Sequence, residues 1–305
     1  MTKEIEDKLE KVPIVKVFVK FGKKIKVPGL EGMSLYDVLE MYIIGIVEGA
    51  LTIRAGGIAF SFFMATFPFM LFILTLIPYI SFTKDILPLQ TFEAVNFVIG
   101  DIINNQYGGL LSFGFIVSIF LMTNGVNAIF GGFEYSYHVK EIRNVFRTYF
   151  ISLGVSLLTS LFLIITITLV ILYQVALTKI DETGWLHTDD LNLFYYGRGI
   201  LFLIMIFTIV SLLFRYGTKQ GKEIKFFSAG AILTTLLSLC TFYLFGIYVV
   251  KFAQYNQLYG SIGTLLILML FVWLNAIILL LGFELNASLY SLRRRNKKDT
   301  TLKNL

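Results

Sequence analysis

"SIGTLLILMLFVWLNAIILLLGFELNASL", residues 261–289, decides the fold class. From Ser261 to Leu281 the run carries no charged residue, and Asn275 is its one amide. Glu284 and Asn286 then arrive just ahead of Arg293, Arg294 and Arg295. A helix crosses roughly 30 Å of hydrocarbon in about twenty residues. Either a charge enters hydrocarbon here, or the membrane ends just before it. Counting from Ser261 sets the boundary near Leu281, which makes Glu284 an interfacial acid about one turn beyond.

The rest of the chain repeats the pattern. Of 305 residues, 56% are hydrophobic and only 15% charged, against about a quarter charged in a soluble domain. Apolar runs at about 57–80, 109–131, 149–177, 197–216, 226–250 and 261–283 predict an all-α, polytopic membrane protein with six transmembrane helices. The first fifty residues carry charge throughout, so no signal peptide is expected there. A single cysteine, Cys240, excludes an intrachain disulfide, and with two histidines it leaves no expected metal site or cofactor.

Orientation follows from the basic residues. Of the 26 lysines and arginines, only Lys84, Lys179, Arg198 and Lys251 fall on one side of this six-span arrangement. The excess on the other side alternates loop by loop, which places both termini in the cytoplasm. Ahead of the first span, residues 34–54 show apolar residues at helical spacing (Leu35, Val38, Leu39, Tyr42, Ile43, Ile46). Asp37, Glu40 and Glu48 keep this segment from spanning. It is expected to lie in the interface as an amphipathic elbow helix. Residues 1–32 form a basic segment suited to anionic headgroups, with a short hairpin as the alternative for its Val/Phe–Lys alternation. The membrane domain covers 33–290 and a basic tail covers 291–305. Trp185 is the expected interfacial anchor of the loop after the third span.

Two motifs carry a resemblance. Tyr259-Gly260-Ser261-Ile262-Gly263 precedes the last span, and Gly282-Phe283-Glu284-Leu285-Asn286-Ala287 closes it. Together with the Phe67-Pro68 of the first span and "LLFRYGT" at the end of the fourth, they resemble the YihY/BrkB family of membrane proteins. Departures are Tyr255-Asn256 in reversed order, Phe60 where a tyrosine is commoner, and no proline after "LLFRYGT". The resemblance covers about 33–290. It implies a six-span protein of the bacterial inner membrane, no agreed substrate, and a ribonuclease BN label that is treated as a misassignment.

Polar groups inside a bilayer are costly and draw attention. Asn127, Gly131, Glu134 and His138 fall on one helical stripe of the second span, with Asn124 about 60° away. Asn275, Gly282 and Asn286 share a face of the sixth. Pro68 interrupts the first span and frees a carbonyl, as a kink or a hinge. One reading makes Asn124, Asn127 and Asn275 the lining of a substrate path with Pro68 permitting movement; the other makes them bonds between helices. Glu134 and Glu284 are expected to pair at the cytoplasmic face with bases such as Arg54, Arg143, Arg147 or Arg215. The echo of "NAIFGGFE" (127–134) in "NAIILLLGFE" (275–284) raises a repeat of spans one–two in five–six.

No catalytic residue is expected. The acids are scattered, and no phosphate-cradling motif or nucleophile elbow is present. The function expected is transport or translocation of a lipid-like or small-molecule substrate, with a membrane scaffold and a membrane hydrolase or nuclease as rivals. Expected partners are membrane lipids with anionic headgroups on the cytoplasmic side and no specific nucleic acid, and a homo-oligomer stays open.

Overall fold

A computed structural model gives the architecture. It describes residues 50–76, 108–136, 138–139, 141–182, 190–252 and 261–303, and a few positions between Gly22 and Ile43. Six long helices carry these residues: α1 (Leu51–Leu76), α2 (Gly108–Glu134), α3 (Val145–Glu182), α4 (Asp190–Gly217), α5 (Ala229–Phe252) and α6 (Ser261–Lys303). A single 3-10 turn, Gln220–Glu223, sits between α4 and α5. The protein is an all-α, polytopic membrane protein. Five stretches are long and apolar enough to cross a membrane: Phe113–Glu134, Val145–Tyr173, Gly199–Gly217, Ala229–Val249 and Leu265–Leu292. Leu51–Phe67 of α1 is a shorter apolar stretch, and that helix runs on to Leu76.

Two expectations about α1 change. Residues 34–54 do not form one element ending at Arg54, because Ala50 takes a left-handed φ of 45°. Its carbonyl accepts from the amides of Ile53 and Arg54. Arg54 therefore belongs to the first turn of α1 rather than to an elbow helix. Tyr36, Leu39, Glu40, Tyr42 and Ile43 are helical further upstream, with Leu39 and Ile43 exposed. Second, α1 continues through Pro68 without a break in secondary structure, since a proline removes only one of the helix's many bonds.

Each helix packs on its neighbour in sequence, and α6 returns to α1, so the six close into a ring. The buried core lies at one end of it. Ala55 and Ile58 of α1, Phe130 and Phe133 of α2, Phe214 of α4, Ala231 of α5, and Leu280 and Phe283 of α6 all belong to it. These are the helix ends that carry most of the basic residues, hence the charge-rich end. Elsewhere the helices show apolar surface outward: Phe113, Ile116, Ile164, Leu172, Ile200, Tyr243 and Leu266 are all exposed, as a lipid-facing wall requires.

Glycines set how closely the helices approach. A Cβ on Gly132 would lie 2.9 Å from Ile58 Cδ1 of α1. One on Gly282 would strike Thr234 Oγ1 of α5, and one on Gly230 the Gly282 carbonyl. Backbone contact of this kind is how membrane helices gain packing energy where no hydrophobic drive between them exists.

Candidate functional site: a buried charge junction

Glu284 leaves α6 toward α1 and the end of α2, and its side chain is 0% exposed. Its Oε1 accepts from Arg54 Nη2 at 2.7 Å. Its Oε2 accepts from Ser136 Oγ at 2.8 Å and lies 3.5 Å from His138 Nδ1. Arg54 Nη1 also donates to the Gly132 carbonyl at 2.7 Å. One carboxylate thus ties α6 to α1 and to the α2–α3 connection, and the arginine adds α2. A buried carboxylate needs this many donors, because desolvation of a lone charge costs several kcal/mol.

Local folding delivers each partner. Arg54 is held in the first turn of α1 by the Ala50 turn. Helix α2 ends at Glu134, and the Ser136 amide folds back to the Phe133 carbonyl. Val139 N–H then donates to the Ser136 carbonyl and His138 N–H to Ser136 Oγ. That turn swings both side chains under Glu284. His138 is therefore not on a helical stripe with Asn127, Gly131 and Glu134; it arrives by leaving the helix. Burial pushes the Tyr42 phenol above its ordinary value, and the nearby Glu284 charge pushes it the same way.

The rest of the closing motif is equally engaged. Phe283 stacks on Phe133 with centroids 4.2 Å apart and planes 9° apart, so the two Gly-Phe-Glu tripeptides meet ring to ring. Asn286 points the other way, toward α5. Its Oδ1 accepts from the Gly230 amide and its Nδ2 donates to Ser228 Oγ, both at 2.9 Å. Ser228 Oγ in turn accepts from Ala231 N–H at 3.2 Å. The first amides of α5 would otherwise lack partners, and α6 supplies part of the cap.

Other expected residues are placed differently. Glu134 does not pair with Arg54 or Arg215; its Oε1 accepts from the Arg143 amide at 3.4 Å. Arg143 is buried and donates from Nη1 to the Tyr216 carbonyl at 2.6 Å, capping the C-terminal end of α4. Its burial lowers the guanidinium's affinity for its proton, and the Glu134 charge opposes that. Arg215 and Arg147 are exposed, and neither forms an ion pair with a described acid. The expectation that Arg215 serves Glu134 or Glu284 is therefore corrected, because its side chain leaves α4 away from the core.

The amides do not converge. Asn127 Oδ1 lies 3.4 Å from Ser152 Oγ of α3, and Asn275 Nδ2 returns to the Phe271 carbonyl of its own helix at 2.9 Å. Asn124, Asn127 and Asn275 are all half-buried. Among the remaining motif positions, Ser261 opens α6 and Gly263 is half-buried. Tyr259, Gly260 and Trp185 lie outside the described residues, as does the side chain of Pro68.

Sequence reasoning missed a hydroxyl row on α3. Thr148, Ser152 and Ser156 are buried at four-residue spacing, with Ser160 next in the row. They face α2, where Ser156 Oγ meets Thr123 Oγ1 at 3.2 Å and Ser160 Oγ meets Met122 Sδ at 3.1 Å. The period was legible; amides simply drew attention first. Ser136 and Ser228 had no such signal, being lone hydroxyls in connections. Among the described residues no group of three or more His, Cys, Asp or Glu side chains is placed to hold a metal ion.

A family model described as "Virulence factor BrkB" matches residues 45–304. The ribonuclease-like protein YfkH of Bacillus subtilis (strain 168) is 31% identical over 262 residues, 79% of this chain and 90% of that protein. A UPF0761 membrane protein of Idiomarina loihiensis is 30% identical over 102 residues, 32% of this chain and 36% of that protein. Another, of Pseudoalteromonas translucida, is 31% identical over 99 residues, 32% of this chain and 30% of that protein. No solved structure matches.

Proposed function

This chain belongs to the BrkB family of membrane proteins, and from that premise we propose that it translocates a lipid-like or small-molecule substrate across the bacterial inner membrane. One observation carries the reading. Among the described residues the buried hydrophobic side chains gather toward the charge-rich end, and Asn124 and Asn275 are half-buried near the far edge of that cluster, which Val126 and Ala276 mark. Partly accessible amides at that depth suit a polar path, because an amide facing hydrocarbon is costly. The Arg54–Glu284 junction would then seal one end of the path, with both termini and the basic loops on the cytoplasmic side.

The exposed Arg147, Lys222 and Lys225 would meet anionic headgroups there, each contributing about 1 kcal/mol near the surface. A scaffold remains the rival reading. Tight glycine-mediated packing of α5 on α6 favours it at the sealed end only. The ribonuclease-like name of YfkH raises a hydrolase. Against it, Glu284 is committed to Arg54 and Ser136, which leaves it poorly placed as a general base.

Reconstitution into liposomes tests the proposal, with fluorescent lipids and small solutes as probes and with Asn275→Ala and Asn124→Ala beside wild type. Faster movement than in protein-free liposomes, reduced in either variant, supports translocation. No acceleration of any probe, or variants equal to wild type, removes its support. Cleavage of an RNA added to the same vesicles would favour the hydrolase.

A further inference from the structure

We propose that the α4–α5 connection is a membrane hook, with Phe226 and Phe227 seated among lipid chains and Lys222 and Lys225 on the headgroups of anionic phospholipid. The hook concerns how the bilayer holds the protein, and it stands whether or not anything is translocated.

The path of the chain carries the inference. After Gly217 comes the 3-10 turn Gln220–Glu223, and Ile224 is extended, with ψ 124°. The chain then turns back along α4 instead of leaving it. Ser211 Oγ donates to the Phe226 carbonyl at 3.0 Å. The Phe207 ring meets Phe226 with centroids 5.7 Å apart and Phe227 with centroids 5.1 Å apart. Phe207 lies ten residues (207 to 217) before the end of α4, about 15 Å along a helix axis. Both rings therefore sit beside the interior of the apolar stretch Gly199–Gly217.

Two observations give this segment hydrocarbon rather than water as its cover. Phe227 is 75% exposed, and Leu203 and Ile204, one turn from Phe207 on α4, are exposed as well, as is Ile232 early in α5. The polar backbone around it is also met by buried side chains. Ser211 takes the Phe226 carbonyl, Asn286 the Gly230 amide and Ser228 the Ala231 amide. Non-helical backbone persists at membrane depth only with protein partners of this kind. That depth explains why an asparagine of α6 caps the start of α5. Lys222 and Lys225 are exposed, and Lys225 stands two residues from Phe227, at most about 7 Å of chain. A lysine stem lies along apolar surface while its ammonium reaches the phosphates, and the cytoplasmic leaflet supplies anionic ones.

The test places the full-length protein in phosphatidylcholine vesicles with Phe227→Trp as the reporter, and with Trp185→Phe and Trp273→Phe removing the native indoles. Leu236→Trp in the same background, at a position exposed within the span of α5, sets the signal of a lipid-facing ring. Its quenching by chain-brominated phosphatidylcholine also shows that the background is folded. The same lipid should quench Phe227→Trp nearly as strongly, and aqueous acrylamide should quench it little. Brominated phosphatidylglycerol should associate at least about fivefold more tightly than brominated phosphatidylcholine, the share of one lysine near the surface. Lys222→Gln with Lys225→Gln should remove that preference and leave quenching by the zwitterionic lipid unchanged. The proposal is overturned if acrylamide quenches Phe227→Trp while brominated chains do not, or if the double glutamine variant keeps the preference. Neither readout measures translocation, so the two proposals fail separately.

Discussion

At the charge-rich end, the short hydrogen bonds to Glu284 come from other elements: Arg54 from α1 and Ser136 from the α2–α3 connection. Along the seam between α2 and α3 the arrangement is reversed. Thr123, Ser152, Thr159 and Ser160 each donate to a carbonyl of their own helix at 2.7–2.9 Å, and their contacts across the seam are the longer ones, 3.1–3.4 Å where they occur. Both regions bury polar groups, yet only the first depends on the tertiary fold for their satisfaction. A polar group satisfied within its own helix survives separation of the helices. A carboxylate satisfied by its neighbours does not. The junction is therefore where helix arrangement and chemistry are coupled, and the seam is where helices are merely allowed to meet.

Mutations can break or sharpen that contrast, with stability read by equilibrium unfolding in mixed micelles. The largest loss is expected for Glu284→Ala, about 3–5 kcal/mol, because it leaves the Arg54 guanidinium buried and unpaired. Combining it with Arg54→Ala should cost well below the sum of the singles, since the two act on one interaction. An additive result would mean the pair is not coupled. Next is Gly282→Ala, about 1–3 kcal/mol from overpacking against Thr234. Thr234→Ala in the same chain should recover part of it, and failure to recover would place the strain elsewhere.

Asn286→Ala should cost about 1–2 kcal/mol through the Gly230 amide and Ser228 hydroxyl it abandons. Amide exchange at the start of α5 should accelerate while that of α2 stays unchanged. The smallest effect belongs to the seam. Ser156→Ala is expected to cost about 0.6 kcal/mol, the average for hydroxyl contacts between membrane helices. A loss as large as that of Glu284→Ala would erase the distinction between the two regions.

Much of this architecture was legible in one dimension. The apolar runs placed the helices, although α6 continues well past its run, to Lys303, and Asn275, Gly282 and Asn286 read as one face of α6. Glu284, at the opposite side from Asn275, had to face something else. Its pairing with Arg54 across 230 residues could be named only as one option among several bases, because spacing on a single helix says nothing about which helix stands opposite. The errors share this cause. His138 was assigned by helical phase although α2 ends at Glu134. Arg215 was grouped with the acids although its side chain leaves α4 on the exposed side.

The sequence by itself determined that this chain crosses a membrane with helices, because hydrocarbon thickness and the satisfaction of backbone groups leave no alternative for such apolar runs. The tertiary structure decided what became of the acid in "LLLGFELNASL". Glu284 meets neither hydrocarbon nor water: it is enclosed by α1, α6 and a turn after α2. No run of residues states that, since the donors enclosing it come together only when the ring of helices closes.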